Sequence, residues 1–599
     1  MNNEFQENNN KESYGKLPIW NLNDLYSSPN SKKLRDDFIL LEDLVKKFSV
    51  YKGNVSSLKT NDFTIAIKEF EKISDLSGKI SSYSQLYHSQ NLLDSKRSEF
   101  YQNTNDKLTK IFSKILFFTL EINKIDDSKL NIFFSDKIIS SYESWIKDLQ
   151  VFKDHELSDP IEQLINEKSI TGNNAWVRFF DEVEANISCE VDGKDLSLTK
   201  ALNLLSNPDQ RVRRYSAKSI GAQLTKKSKT FSFIYNTIAK DKSIDDEWRK
   251  YPKPISYRNK CNLIEDNVVD SLVNVVSRSF KDTSHRYYEI KAKLLNKKKL
   301  EYWDRNAPIY DKRNSPIKWE QAKDIVLNSY KSFDNELYNI ADQFFKHNWI
   351  DAPASPGKAS GAFSHPTVPS SHPYILLNYL GTNRDVMTLA HELGHGIHQV
   401  LAAHNGALKC STPLTLAETA SVFGEMLTFR NLLDNESDVL KRKILLSEKI
   451  EDMLNTTTRQ IAFHQFETLF HNERLKGEVS LDKICEIWIS TQKESLGPVF
   501  NFDEEYKYYW TYVSHFFHVP FYVYAYAFGD CLVNSLYNVY ITKGVNQFEQ
   551  KYIEMLKSGG TLRHTELLNP FGLNTSDSDF WKLGINNIIK LIDDLENII

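Results

Sequence analysis

GTNRDVMTLAHELGHGIHQVLA, residues 381–402, is the stretch on which the reading of this chain turns. Asn383 or Asp385 offers an N-cap for a helix running through it. His391 and His395 stand at i and i+4 on that helix. Such residues differ by about 40° around the axis and about 6 Å along it. Both imidazoles can therefore reach one zinc ion at about 2.0–2.1 Å. Glu392 lies about 100° round from His391, off that line, where it can act as general base toward a water beside the metal. The five residues alone do not decide the matter, because a chain with 15 His and many Glu can produce them by chance. The following sequence adds the missing third ligand. TLAETAS, residues 415–421, begins a second helix after a loop containing Pro413. A helix–loop–helix hairpin returns Glu418, in the first turns of that helix, to the level of the two histidines. Glu425, two turns further on the same face, can orient a ligating imidazole from behind. His398 and His404 read instead as packed or solvated histidines.

Outward from this motif the chain reads as mainly α. Of its 599 residues 41% are hydrophobic and 12% aromatic, enough for a sizeable core and too much for wholesale disorder. With 21 Gly and 17 Pro, long helices are favoured over a turn-rich β protein. Residues 20–250 show apolar repeats at three and four, as in SKKLRDDFILLEDLVKKF (31–48) and TIAIKEFEKISDLSGKISSYSQLYH (64–88). The exception is WVRFFDEVEANISCEVDGKDLSL (176–198), whose Asp192-Gly193 pair predicts a short hairpin. YPKPISYRN (251–259) is loop-like and marks a candidate boundary near residue 250. Helical patterns resume over 267–295 and 319–346. Residues 351–385 are rich in Pro, Gly and Ser, with two extended pieces, GAFSH (361–365) and YILLN (374–378). Helix returns at about Val386 and dominates to the end. The polar, Asn-rich stretch from Met1 to about Lys16 reads as a disordered tail.

Composition also limits partners. The net charge of −4 argues against nucleic acid as a main partner. No apolar run approaches the roughly 20 residues that span a bilayer, and the start has no signal-peptide pattern. Five dispersed cysteines without a C-x-x-C pair suit a reducing cytoplasm. A monomer is the default.

A second chemical signal is SHFFHVPFYVYAYAFGD, residues 514–530. Hydrolysis at a zinc site needs donors aimed at a developing oxyanion. This segment offers His515, His518, Tyr522, Tyr524 and Tyr526. If a helix starts beyond Pro520, Tyr522 and Tyr526 share a face and Tyr524 points elsewhere. An aromatic core helix explains the same residues equally well.

HELGHGIHQVLA with LAETASVFGEML resembles the paired active-site helices of oligoendopeptidase F, in the thimet oligopeptidase-like family of zinc metallopeptidases. IWNLNDLY (19–26), LLNKKKLEYWDRNAP (294–308), HPYILLNYLGTNRDVMTLAHELGHG (372–396) and HFFHVPFYVYAYAFG (515–529) are similar to further segments of that family. The resemblance implies a mainly α fold: a helical ellipsoid divided by a deep substrate channel, with a small β-sheet beside the zinc helices. It implies an N-terminal helical region over 17–200 and a catalytic domain over 201–599. It further implies one zinc ion per chain on His391, His395 and Glu418, with Glu392 as base. His515, or His518 in its place, would join Tyr522 and Tyr526 as substrate and transition-state contacts. Gly361, Ala362 and Phe363 would form an edge strand that pairs with extended peptide; an ordinary loop is the competing reading. The activity so implied is endopeptidase cleavage of short oligopeptides. Two rivals stand beside it. A zinc carboxypeptidase would need a cationic group for the substrate's terminal carboxylate, and no single Arg near the motif declares itself. A non-catalytic zinc or peptide-binding protein would not need Glu392.

Overall fold

The apolar repeats at three and four become long helices, among them Lys32–Phe48, Thr60–Ser89 and the 39-residue Gln210–Trp248. The computed structural model describes residues 14–309 and 316–599. The fold is mainly α; among the described residues the strands form two two-stranded sheets and one three-stranded sheet. Most of the expected N-terminal tail, residues 1–13, lies outside the described residues. Tyr14, near its end, is anchored: its carbonyl accepts from the Trp319 N–H at 2.9 Å and its ring meets Tyr379 edge-on.

The chain divides into two compact units, each assembled from three segments. One comprises Met1–Lys153, Asn314–Asn435 and Val539–Leu573; the other comprises Asp154–Arg313, Glu436–Asn538 and Asn574–Ile599. Neither follows a linear division at residue 200, and the loop near residue 250 lies inside the second unit.

In the first unit Trp20, Tyr26, Phe48, Phe63, Phe70 and Phe118 build a buried aromatic-rich core. Alternate residues of the strand Tyr374–Tyr379, Tyr374 and Leu376, close over that core. This strand is the centre of the three-stranded sheet. Ile350–Pro353 pairs with it in parallel, and Phe363–His365 pairs antiparallel as the edge, in register Phe363 with Leu376 and His365 with Tyr374. The Pro/Gly/Ser-rich connection between the strands is fixed by one buried cation. Lys358 Nζ donates to Asp351 Oδ1 at 2.6 Å and to the carbonyls of Pro353 and Leu377 at 2.8 and 2.7 Å. Burial holds the Lys358 ammonium below the usual lysine range, against the opposing pull of Asp351.

The structure differs from the sequence expectation at two segments. WVRFFDEVEA is helix, Asn173–Ala185, because its apolar positions 176, 177, 180 and 183 follow the helical period. The hairpin is confined to Ser188–Val191 and Lys194–Ser197, and Asp192 and Gly193 form its turn with φ of 51° and 71°. The pattern over 319–346 is two helices, Trp319–Phe333 and Asn335–Lys346. Asp334 breaks it in extended conformation and caps the second helix through the Glu336 N–H.

The helix carrying the histidines, Asn383–Ala402, packs along Thr419–Asn435. Its cap is Thr382, with Asp385 returning the bond as a capping box, so neither Asn383 nor Asp385 is the cap itself. The two backbones meet at Gly394, where a Cβ would stand 2.4 Å from the Ala420 carbonyl oxygen and 2.6 Å from the Ser421 Cα. Backbone cannot yield as a side chain can. Gly394→Ala should therefore destabilise the first unit by about 1–3 kcal/mol, as overpacking does, and should lower bound metal with it. Thermal unfolding followed by circular dichroism checks this; an unchanged Tm would contradict the contact.

Candidate active site

The close approach of the two helices sets the ligand positions. A single helical turn, Leu414–Ala417, ends at Glu418, and the long helix starts one residue later at Thr419. Glu418 therefore sits at a break between two helical pieces rather than within the first turns of one. Two buried tyrosine hydroxyls hold the backbone on either side. Tyr330 donates to the Ala390 carbonyl and Tyr552 to the Thr419 carbonyl, each at 2.8 Å. Gly424 leaves room for the Tyr330 hydroxyl, which would lie 2.0 Å from a Cβ there.

His391, His395 and Glu418 converge so that one ligand atom from each lies within 4.8 Å of the others. Glu418 Oε2 is 3.3 Å from His391 Nε2 and 3.5 Å from His395 Nε2. A tetrahedron with bonds of about 2.1 Å has edges of about 3.4 Å, so these separations fit a zinc ion. The far side of His391 is also held: Nδ1 lies 3.3 Å from Glu425 Oε2. That contact favours the proton on Nδ1 and leaves the Nε2 lone pair for a metal. The Ser421 hydroxyl donates to Glu418 Oε2 at 2.6 Å and steadies the carboxylate.

The electrostatics favour one added positive charge. Burial works against a charged His391, but Glu425 and then Glu418 outweigh it and raise the imidazole to about 9. Burial holds His395 down, to about 4, against the pull of Glu418. Burial raises Glu418, yet His395 and His391 keep it below the usual carboxylate range. A proton or a metal ion at the convergence point satisfies all three. Glu392 is different. It is 6% exposed and outside the ligand set. Burial, opposed by His391 and reinforced by Glu418, pushes its carboxyl up to about 7.

The edge strand beside it starts two residues later than expected. Gly361 is a turn residue with φ of 78° and Ala362 leads into the strand Phe363–His365. The Gly361 carbonyl is taken by Asn378 Nδ2 at 2.9 Å. Gln399 of the motif helix accepts from the Ser364 hydroxyl at 2.9 Å and donates to the Ser364 carbonyl at 3.3 Å. Ser364 lies inside the extended piece GAFSH, but as a site residue it carries no sequence signal of its own. His398 is buried against the Thr412 hydroxyl at 3.2 Å, and His404 is exposed, with Nδ1 2.9 Å from the Leu401 carbonyl.

In the second unit His515, Tyr522 and Tyr526 come together. His515 Nε2 lies 3.2 Å from the Tyr526 hydroxyl, its ring stacks on Tyr522, and the two tyrosine rings meet edge-on at 5.3 Å. The phasing that predicts this pairing is nevertheless wrong in detail. The helix begins at Tyr524, so Tyr522 precedes it in a turn closed by the Ala525 N–H on the Tyr522 carbonyl. That turn follows Phe521, whose φ is 61° and whose N–H donates to the buried Glu467 at 2.8 Å. Tyr524 points into the core, its hydroxyl accepting from Asn262 at 2.8 Å. His518 lies instead 2.7 Å from Asp181.

A metal-binding helix pair with a spare buried carboxylate, in a mainly helical frame, defines a metallopeptidase. The family model described as Peptidase family M3 matches residues 203–586, and that described as Oligopeptidase F matches 121–188. The chain belongs to peptidase family M3 and is a metalloendopeptidase of the oligoendopeptidase F type. It is 24% identical to the oligopeptidase PepF of Bacillus subtilis over 97% of this chain and 87% of that protein. It is 26% identical to an oligoendopeptidase F homolog of Borreliella burgdorferi over 96% of both chains. In fold it is similar to a putative peptidase from Chlamydophila abortus, with TM-score 0.86, 20% identity and coverage of 97% of this chain and 98% of that one. The oligoendopeptidase-F of Enterococcus faecium gives TM-score 0.69 at 21% identity, covering 95% and 99%. No described helix is long and apolar enough to cross a membrane.

The Glu425 contact yields a test. Glu425→Ala removes the support behind His391 and should weaken metal binding by about 10–100-fold, read by chelator competition, while the far-ultraviolet circular dichroism stays unchanged. Unaltered affinity would show that the contact does not orient the ligand.

Proposed function

We propose that the protein hydrolyses internal peptide bonds of short, unstructured oligopeptides with one zinc ion held by His391, His395 and Glu418. The observation that carries this reading is Glu392, a buried carboxylate beside three convergent metal ligands yet outside their set. Zinc bound there would supply Lewis acidity for activating water and polarising a carbonyl. Glu392, pushed up to about 7, is suited to accept a proton from the attacking water and return it to the leaving nitrogen. We assign His515, Tyr522 and Tyr526 to contacts with substrate and transition state, their hydroxyls and imidazole acting as donors to the developing oxyanion. We assign pairing with extended substrate backbone to Ala362 and Phe363. The Gly361 carbonyl is already engaged, so the expected contribution of Gly361 is the turn that opens the strand.

All of these residues fall within 201–599, which we assign as the catalytic domain, with 17–200 as the helical N-terminal region. The five cysteines are unpaired, which suits a cytoplasmic enzyme; we take a monomer as its working form. A substrate that pairs through its backbone must be extended; a folded protein would first have to give up roughly 5–15 kcal/mol of stability. Glu392 also speaks against a non-catalytic binding protein.

Glu392→Gln should keep its zinc while kcat on a peptide with blocked termini falls by about 10²–10⁴-fold. Near-normal turnover in the zinc-loaded variant would remove Glu392 from the mechanism. Release of single terminal residues from unblocked peptides only would turn the reading to the carboxypeptidase.

Tyr526→Phe should lower kcat more than it raises KM. Tyr524→Phe is the internal control, since its hydroxyl is bonded to Asn262 in the core; its kcat should stay within a few-fold of wild type. A larger kcat loss in Tyr524→Phe than in Tyr526→Phe would contradict the assignment.

A further inference from the structure

In the second unit two arginines from distant segments meet in one pocket. Arg305 follows the turn Tyr302–Asp304, and Arg459 lies in the first turn of the helix Thr458–Lys476. Tyr512, the last residue of the 3-10 helix Glu504–Tyr512, stands between them. Its hydroxyl oxygen accepts from Arg459 Nη2 at 2.9 Å, and the Arg305 guanidinium, whose Nε donates to Asn306 Oδ1 at 3.3 Å, acts on the same phenol. Both guanidiniums are permanently charged. The nearby carboxylates are spoken for elsewhere. Asp304 is shared by Arg213 and Lys297, and Glu451 is 2.5 Å from Lys291. Among the described residues neither Arg305 nor Arg459 forms an ion pair with a carboxylate; each faces the other and the phenols of Tyr288, Tyr506 and Tyr512.

The pocket wall mixes polar side chains with the apolar Leu454 and Leu496. Arg459 Nε is sealed from solvent and has no hydrogen-bond partner. Gln492, 2% exposed, accepts the Tyr506 hydroxyl on Oε1 at 3.2 Å, and its Nε2 is likewise sealed and unpartnered. Tyr288, Asn455 and Ser495 also line it. Two like charges and two buried donors with no answering anion are costly. The room left at the centre is that of one water-sized particle, too small for phosphate or sulfate. Burial pushes the Tyr512 phenol up, but Arg459 and Arg305 outweigh it and hold it below the ordinary tyrosine range, so the surroundings demand negative charge at this spot.

We propose that the pocket between Arg305 and Arg459 binds one small monovalent anion, a halide such as chloride. The anion answers both guanidiniums, which line the same space. It thereby ties the start of the helix Thr458–Lys476 to the end of the 3-10 helix at Tyr512, three residues before His515. The inference concerns binding and does not rest on the peptidase mechanism.

The test uses the full chain, exchanged into gluconate and then titrated with chloride, bromide or sulfate at constant ionic strength. Chloride and bromide should raise Tm by about 1–3 °C in a saturable way, sulfate should not, and Arg459→Gln should abolish the rise. A crystal of the wild-type protein grown with bromide should show an anomalous peak between Arg305 and Arg459, which decides the question even if the variant fails to fold. Equal Tm in gluconate and chloride, an equal response to sulfate, or a pocket holding only water in the bromide crystal would overturn the proposal. So would a tyrosinate spectrum at neutral pH without halide binding, because Tyr512 would then itself be the counter-ion.

Discussion

The contact between Gly394 and the Ala420 carbonyl is the constraint from which the candidate site follows. A helix can bring two histidines to one metal by its own period, but it cannot supply a third ligand from the same line. The third must come from a neighbour, and a carboxylate as short as Glu418 reaches Nε2 of both histidines only if the two backbones nearly touch. Any side chain at position 394 would hold them apart by the width of a methyl group. The hydroxyls of Tyr330 and Tyr552 then fix the chain immediately before His391 and immediately after Glu418, so the ligands are placed from the backbone outward.

The sheet meets the same requirement from the other side. Its central strand joins the aromatic core through Tyr374 and Leu376, and its connection is pinned by the buried Lys358–Asp351 pair. A buried ammonium with four protein acceptors is costly to break, because removing either partner leaves a charge without an answer. That rigidity holds Ser364 against Gln399 of the motif helix, through its hydroxyl and its carbonyl. The motif helix is thus tied to the strand that would also receive the peptide.

Much of this was legible in the sequence, and the parts that were not share a physical cause. The histidine pair, the returning Glu418, Glu425 behind His391 and the Asp192-Gly193 turn are local patterns whose spacing dictates geometry. The helix break at Asp334 and the Thr382 cap depend on one side chain competing for a backbone N–H, which periodicity does not record. Tyr522 and Tyr526 meet as a helical pair would, but through a left-handed turn at Phe521 held by Glu467 from another helix. The edge strand slipped by two residues because Gly361 spends its freedom on a turn. Lys358 and the Arg305–Arg459 pair were invisible: a lone lysine in a polar segment, and arginines on segments far apart, acquire meaning only once the fold buries them.

The account stands or falls on the three ligands acting as one site. Elemental analysis of the purified protein after exhaustive dialysis, beside the His395→Ala variant treated identically, tests this most directly. The account predicts close to one zinc per chain in the wild type and only a trace in the variant, with circular dichroism showing both folded. Full zinc occupancy in folded His395→Ala, or a wild-type protein active without any transition metal, would contradict it.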